Sequence, residues 1–194
     1  MVSRSWLSVP VMTQVVPASL SLAAAAQGYG VPLTTAITAL GRFEGVARRQ
    51  DLLFEARGVR VYDDFAHHPT AVDETLRALR SRHPEGALWA VFEARSATAC
   101  RALHQAHYAR AFRAADRVIL APLGRSDIPE AERLDLDRLT RELGEAGTRA
   151  EAAPSIEAIL AAIAADARPG DTVALLSNGA FGGIYDKLRG ALST

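Results

Sequence analysis

Short apolar runs alternate with segments of helical periodicity through most of this 194-residue chain. The clearest runs are 87–92 (ALWAVF), 116–121 (DRVILA) and 171–176 (DTVALL). Runs of this length are typical of strands buried on both faces, because helices cover both sides of a parallel sheet. The sequence therefore predicts an α/β fold with a Rossmann-like, mostly parallel sheet flanked by helices.

The remaining elements are predicted from periodicity and from turn residues. Strands are expected at 52–56, 59–62 and 148–152, and helices at 71–81, 99–114, 135–145, 155–165 and a final segment ending at residue 192. Residues 17–27 and 32–40 predict two short helices, and 1–16 have no clear periodicity. The glycine-punctuated stretch 41–49 (GRFEGVARR) indicates a linker. We therefore expect a helical appendage at 1–45 and an α/β domain at 46–194.

Charge and cysteine content narrow the classes of partner and compartment. The 22 basic and 22 acidic residues give a formal net charge of zero, so no overall field recruits nucleic acid or an anionic membrane. Cys100 is the single cysteine, which favours a reducing, cytoplasmic compartment. Pro10, Gln14 and Pro17 interrupt the apolar N-terminal stretch, so neither a secretory signal nor a membrane span is expected.

The stretch VYDDFAHHPT (61–70) contains two carboxylates and two imidazoles within six residues. It lies between the end of a predicted strand and the start of a predicted helix, where Pro69 suits the first helical turn. Open α/β sheets bind ligands at such strand ends, where the N–H groups of a helix attract anions. Asp63, Asp64, His67 and His68 therefore predict a binding site; the simpler alternative is that an aspartate caps the helix and a histidine packs.

Two further strand ends carry polar residues that fit the same site. Arg95 and Ser96 follow the run 87–92, and the turn at 177–179 (SNG) follows 171–176. A glycine-rich turn lets a ligand approach backbone N–H groups, although such turns are often only structural. Arg95 could equally be a surface arginine beside a helix cap, and the pair Arg48-Arg49 either a solvated pair or an anion contact.

A nucleoside-triphosphate cradle of the G-x-x-x-x-G-K-[ST] type does not occur in the sequence. Every basic residue except Lys187 is arginine, and Lys187 has no such context. If the protein handles a nucleoside triphosphate, the main phosphate cradle must therefore lie on another domain.

In this order and at these distances, GRFEGVARR, VYDDFAHHPTAV, LWAVFEARSAT and LLSNGAFGG resemble the C-terminal domain of the Mur ligase family. The resemblance is greatest to members that act in peptidoglycan recycling by joining L-Ala-γ-D-Glu-meso-diaminopimelate to UDP-N-acetylmuramate. It implies an ATP- and Mg²⁺-dependent amide ligase, with the metal held mainly by the central domain. The helices before the linker resemble the end of that central, ATP-binding domain, so the N-terminal and central domains would be this chain's partners.

The resemblance also implies roles for individual residues. Arg49 would reach the triphosphate and take part in catalysis, and Asp64 would hold the ribose of ATP. Asn178 would also contact the nucleotide. The acceptor peptide would lie against the residues His67, Arg95, Ser96, Ser177 and Phe181, with His67 also catalytic. Without the triphosphate cradle, the isolated chain is expected to be inactive.

Two other interpretations use the same sequence differently. Asp63, Asp64, His67 and His68 could bind a divalent metal in a phosphoesterase, although no second acidic or histidine cluster follows another strand. Alternatively, the chain could be a non-catalytic docking domain whose apolar arm, residues 1–40, supplies the interface. Under the ligase interpretation, the chain itself holds no resident metal.

Overall fold

The computed structural model of the chain describes residues 24–42 and 47–193. The chain divides into two compact units, Met1–Val46 and Ala47–Thr194. In the first unit, residues 24–28 are helical and helix α1 spans Leu33–Gly41, so short N-terminal helices are present as expected. The rest of the helix expected at 17–27, and the unassigned residues 1–16, lie outside the described residues.

The second unit contains a sheet of six strands in the order β1-β2-β6-β3-β4-β5. The strands are β1 (Asp51–Ala56), β2 (Val59–Asp64), β3 (Leu88–Phe92), β4 (Arg117–Leu120), β5 (Arg149–Ala152) and β6 (Thr172–Leu176). Only the β1–β2 pair is antiparallel; the other four pairs are parallel. The expected α/β fold with a mostly parallel sheet is therefore confirmed.

Helices cover both faces of this sheet. They are α2 (Pro69–Arg82), α3 (Gln105–Ala111), α4 (Leu136–Glu145), α5 (Ile156–Asp166) and α6 (Ile184–Ser193), with 3₁₀ turns at Ala102–His104, Glu130–Glu132 and Phe181–Gly183. Apolar side chains of α2, α3 and α4 pack on one face, and those of α5 and α6 pack on the other. This arrangement explains why all five residues of β3 and of β6 are buried. Among the described residues, no helix is long and apolar enough to cross a bilayer.

The helix expected at 99–114 is wrong at both ends. The Ser96 hydroxyl accepts the N–H of Ala99 at 3.0 Å and closes a turn. Arg101 is extended and pairs with Arg133 in an isolated bridge, so helical structure begins only at Ala102, as a 3₁₀ turn. The α-helical part ends at Ala111, three residues earlier than expected. Local side-chain bonds therefore replace the first turn that periodicity alone predicts.

The strand order opens a crevice at one edge of the sheet. The chain passes from β2 to β3, and β6 later fills the position between them. Leu176, at the end of β6, is the register partner of both Asp64 and Phe92. The loops that follow β2, β6 and β3 therefore leave the sheet side by side, which is the arrangement that binds ligands in open α/β folds.

His83, the C-cap residue of α2, is expected to make the folded chain less stable in mild acid. His83 Nε2 lies 2.8 Å from the Tyr62 hydroxyl, and burial, Arg60 and Arg82 lower the pKa of His83 to about 4. Since an unfolded histidine titrates near pH 6.5, the unfolded state binds a proton first and stability falls as the pH drops from about 6.5 towards 4. Because the ring is only half-buried, we expect a loss of about 1–2 kcal/mol, or roughly 5 °C in melting temperature.

Thermal melting at pH 7 and pH 5 tests this expectation. The His83→Gln variant should show a smaller difference between the two values, and His107→Gln, a change at an exposed histidine, controls for the substitution itself. Melting temperatures of the chain and of His83→Gln that fall equally with pH would show that His83 contributes nothing to the acid sensitivity.

Candidate functional site

Asp64 ends β2 and anchors the backbone on both sides of it. Its carboxylate accepts the N–H of Gln50 at 2.8 Å and the N–H of Ala66 at 2.7 Å. The residue is 2 % exposed; burial raises the pKa of its carboxyl, and these N–H bonds oppose the shift. Asp64 therefore joins the segment before β1 to the loop after β2, and both segments frame the crevice.

The two consecutive arginines have different surroundings. Arg48 is half-buried, and its Nε donates to Asp63 Oδ2 at 2.8 Å. The Arg49 side chain is 54 % exposed, and among the described residues its ionic contact is Asp64 Oδ1 at 3.7 Å. Its guanidinium also lies over the ring of Phe65, 5.6 Å from the centroid. Arg49 is thus held loosely beside Asp64 and is open to an anion, whereas Arg48 is engaged within the protein.

The two histidines of the motif also differ. His67 Nδ1 lies 3.0 Å from the carbonyl oxygen of Phe65. Because a carbonyl can only accept, Nδ1 carries the proton and Nε2 is the ring atom left to accept one. The Tyr108 hydroxyl donates to the His67 carbonyl at 2.6 Å and fixes the backbone there. His68 caps α2 by accepting the N–H of Thr70 at 3.4 Å.

This use of the motif does not support the metal-phosphoesterase alternative. Asp63 pairs with Arg48, Asp64 accepts backbone N–H groups, and His68 caps a helix. Within residues 24–42 and 47–193, no group of three or more His, Cys, Asp or Glu side chains is arranged to hold a metal ion.

A buried polar pair joins the ends of β3 and β6. The Ser177 hydroxyl donates to Glu93 Oε2 at 2.5 Å and accepts the N–H of Gly179 at 3.0 Å. Ser177 has no exposed surface and Glu93 is 7 % exposed. Ser177, expected to line the acceptor pocket, therefore has its side chain directed inward, where it shapes the turn. Sequence reasoning missed Glu93, although an acidic residue directly after a buried strand was a usable signal.

Arg95 extends from the same strand end into the crevice. Its side chain is 46 % exposed, and Nη1 lies 3.8 Å from Glu93 Oε1. The aliphatic part of the side chain passes between Gly124 and Gly179, since a Cβ atom on either glycine would lie under 3 Å from it. The loop at 122–129, which contains Gly124, thus forms one wall beside Arg95.

The other three residues predicted to line the site are Ser96, Asn178 and Phe181, and their surroundings differ. Ser96 closes the turn after β3 through its hydroxyl. The buried Oδ1 of Asn178 has no hydrogen-bond partner among the residues that the structure describes. Phe181 has no exposed surface and a positive φ of 45°, so its ring anchors the turn within the core.

These positions share one edge of the sheet. Asp64 lies at the end of β2, Arg49 precedes β1 and contacts Asp64, Ser177 follows β6, and Arg95 follows β3. Two strand spacings separate β2 from β3, or about 10 Å. The edge presents the partly exposed guanidinium groups of Arg49 and Arg95, which suits a ligand that carries anionic groups.

A family profile described as "Mur ligase, glutamate ligase domain" matches residues 41–179. The UDP-N-acetylmuramate–L-alanyl-γ-D-glutamyl-meso-2,6-diaminoheptandioate ligase of Escherichia coli is 38% identical over 172 residues, which cover 88% of this chain and 35% of the relative. The UDP-N-acetylmuramate–L-alanine ligase of Bdellovibrio bacteriovorus is 38% identical over 104 residues, covering 52% of this chain and 22% of the relative.

The crystal structure of a murein peptide ligase from Psychrobacter arcticus superposes with a TM-score of 0.69 at 32% identity. The match covers 89% of this chain and 35% of that one. This chain therefore spans about a third of the length of such relatives.

Proposed function

The chain belongs to the Mur ligase family, and we propose that it is the acceptor-binding domain of an ATP-dependent ligase that joins L-Ala-γ-D-Glu-meso-diaminopimelate to UDP-N-acetylmuramate in peptidoglycan recycling. We assign residues 46–194 to this domain and residues 1–45 to the end of the ATP-binding domain before it. The cytoplasm, where ATP is available, is the proposed compartment. The named activity of the Escherichia coli relative supports the choice of substrates.

The chemistry explains why such a domain is needed. A carboxylate is a poor electrophile, so ATP phosphorylates it first, and the amine of the incoming peptide then attacks the acyl phosphate and expels phosphate. The acyl phosphate hydrolyses unless water is excluded and the amine is aligned. A domain that closes over the reacting groups as a lid meets both requirements.

The observation that carries the proposal is that Arg49 and Arg95 lie at the same sheet edge: Arg49 contacts Asp64 at the end of β2, Arg95 follows β3, and β6 lies between those two strands. Arg49 is proposed to contact the phosphates, and Arg95 to bind a carboxylate of the acceptor. His67, with Nε2 able to accept a proton, is proposed to face the attacking amine. Ser96, Ser177 and Phe181 are proposed to shape the acceptor side by holding the turns.

Three residues are proposed to contact the nucleotide, and their surroundings suit that role to different degrees. Arg49 is open to an anion, and Asn178 Oδ1, although buried, lacks a partner within the described part of the chain. Asp64 fits the ribose less directly because its carboxylate is buried and accepts two backbone N–H groups. We propose that Asp64 acts mainly by holding Gln50 and Ala66, and its contact with the ribose stays a prediction.

Mg²⁺ does not fit the part of the chain that the structure describes, since no metal-ligating group of three side chains occurs there. Magnesium would accompany ATP, on ligands supplied elsewhere in the enzyme.

Acceptor kinetics test the proposal. In a chimera in which this chain replaces the homologous third of the Escherichia coli relative, Arg95→Gln should raise the KM for the tripeptide roughly 10- to 100-fold, as expected for loss of a charged hydrogen bond. The KM for ATP should stay within about twofold of the chimera's value, because Arg95 lies on the acceptor side.

Arg77→Gln, at an exposed ion pair on α2, is the control for removing a guanidinium. Equal tripeptide KM values for Arg95→Gln and the parent chimera would refute the role of Arg95. ATP-dependent ligation by the purified 194-residue chain alone would refute the proposal that the phosphate cradle lies on another domain.

A further inference from the structure

One guanidinium nitrogen of Arg48 donates to two carbonyls of a single turn. Its Nη2 donates to the carbonyl oxygens of Ser177 at 2.7 Å and Gly179 at 2.9 Å, and lies 3.0 Å from the Tyr185 hydroxyl. Nε donates to Asp63, which also accepts the Tyr185 hydroxyl. Arg48 therefore ties the residue before Asp64 in β2 to the turn that follows β6.

The backbone of Arg48 is strained, which indicates that its position is determined by these bonds. Its φ is +58°, a left-handed conformation that is uncommon for residues other than glycine. Such a conformation costs about 1 kcal/mol or more and persists where surrounding contacts hold it. The hydrogen bonds to Asp63, Ser177 and Gly179 are contacts of that kind.

The turn that Arg48 holds also packs against the Arg95 side chain. A Cβ atom built on Gly179 would lie 2.1 Å from Arg95 Cδ and 2.6 Å from Nε. On the other side, a Cβ atom on Gly124 would lie 2.8 Å from Arg95 Cγ. The Arg95 side chain thus rests directly on the Gly179 backbone, and any shift of Gly179 changes where the Arg95 guanidinium lies.

We propose that Arg48 is a positioning residue for acceptor binding: by holding the carbonyls of Ser177 and Gly179, it fixes the turn on which Arg95 rests and so directs the Arg95 guanidinium at the acceptor carboxylate. This inference rests on the proposed function of Arg95. It separates the roles of two adjacent arginines, since Arg49 faces the anion while Arg48 acts through the turn.

Lysine cannot replace Arg48 in this role. An ammonium group is a point donor at the end of a flexible chain, whereas the guanidinium holds a carboxylate and two carbonyls in one fixed plane. The turn keeps a second support in Arg48→Lys, because Ser177 still bonds Glu93 and the N–H of Gly179. The substitution should therefore shift the turn without unfolding the domain.

The test uses the full 194-residue chain labelled with ¹⁵N-arginine, with meso-diaminopimelate as the probe. In Arg48→Lys, the Nε–H resonance of Arg95 should move, and the Kd of the probe should rise roughly 3- to 10-fold. Arg60→Lys is the matched control. Arg60 is as buried as Arg48, with side chains 31% and 33% exposed, and it contacts a carboxylate and the carbonyl of Gly170, in the segment before β6. It should change neither the Arg95 resonance nor the Kd.

The outcomes distinguish the inference about Arg48 from the proposed function of Arg95. If Arg95→Gln weakens probe binding while Arg48→Lys leaves both the Arg95 resonance and the Kd unchanged, the inference is overturned and the proposed function stands. If Arg95→Gln does not weaken binding, the proposed function of Arg95 fails, and the inference fails with it.

Should Arg48→Lys not fold, Gly179→Ala is tested in its place, because Gly179 has no positive φ and the displaced atoms belong to the flexible end of Arg95. A moved Arg95 resonance with weakened binding supports control of Arg95 by the turn. An unchanged resonance overturns it.

Discussion

Replacing Arg49 with alanine is expected to lower the rate of ligation on the order of 10³-fold, because an arginine placed on a transferring phosphoryl group contributes that much or more. The side chain suits this role, since it is 54 % exposed and its ionic contact to Asp64 is 3.7 Å long. Few interactions must break before it can reach an anion. Phosphate release in the presence of UDP-N-acetylmuramate and tripeptide, measured in the chimera described above, gives the rate.

Two controls distinguish this role from a structural one. The melting temperature of Arg49→Ala should stay close to that of the parent chimera, because exposed ion pairs contribute little to stability. Arg77→Ala, at an exposed ion pair on α2, should leave the rate within about twofold. A rate for Arg49→Ala within tenfold of the parent would show that Arg49 does not act on the phosphates.

Apolar runs were sufficient to predict the fold because burial on both faces leaves a direct mark on sequence. Strands β3 and β6 begin one residue later than the runs suggested and end where expected. The insertion of β6 between β2 and β3 could not be predicted in the same way, since strand order depends on pairing between distant segments. Capping was also only partly readable: Asp135 and Ser155, assigned to helices, are in fact their N-caps.

The sequence predicted where the site lies, but it did not predict what each side chain contacts there. Polar residues after buried strands share an edge of any parallel sheet, so the convergence of Asp64, Arg95 and Ser177 followed from the pattern. The division of labour between Arg48 and Arg49 did not, because two adjacent arginines look alike until their acceptors are known. The inward direction of Ser177 depends on Glu93, a partner 84 positions away in sequence.

Replacing Gly86 with alanine is expected to cause the largest loss of stability, because Gly86 closely approaches the segment before β6. Gly86 precedes β3 and has a φ of +78°, and a Cβ atom there would lie 2.3 Å from the carbonyl oxygen of Gly170. The obstacle is backbone, so it cannot rotate away. Moving it would also disturb Asp171, whose carboxylate accepts the N–H of Ala87 and the indole N–H of Trp89.

Gly86→Ala should therefore destabilise the chain by about 2–5 kcal/mol: roughly 1–2 kcal/mol for the left-handed backbone and a further 1–3 kcal/mol for the forced displacement. Gly147→Ala separates the two contributions, since Gly147 has a φ of +86° with nothing within 4 Å of the added carbon. It should cost only the backbone part, about 1–2 kcal/mol. Urea unfolding of both variants measures the difference, and equal losses would mean that the Gly170 segment yields freely, contrary to a rigid junction between β3 and β6.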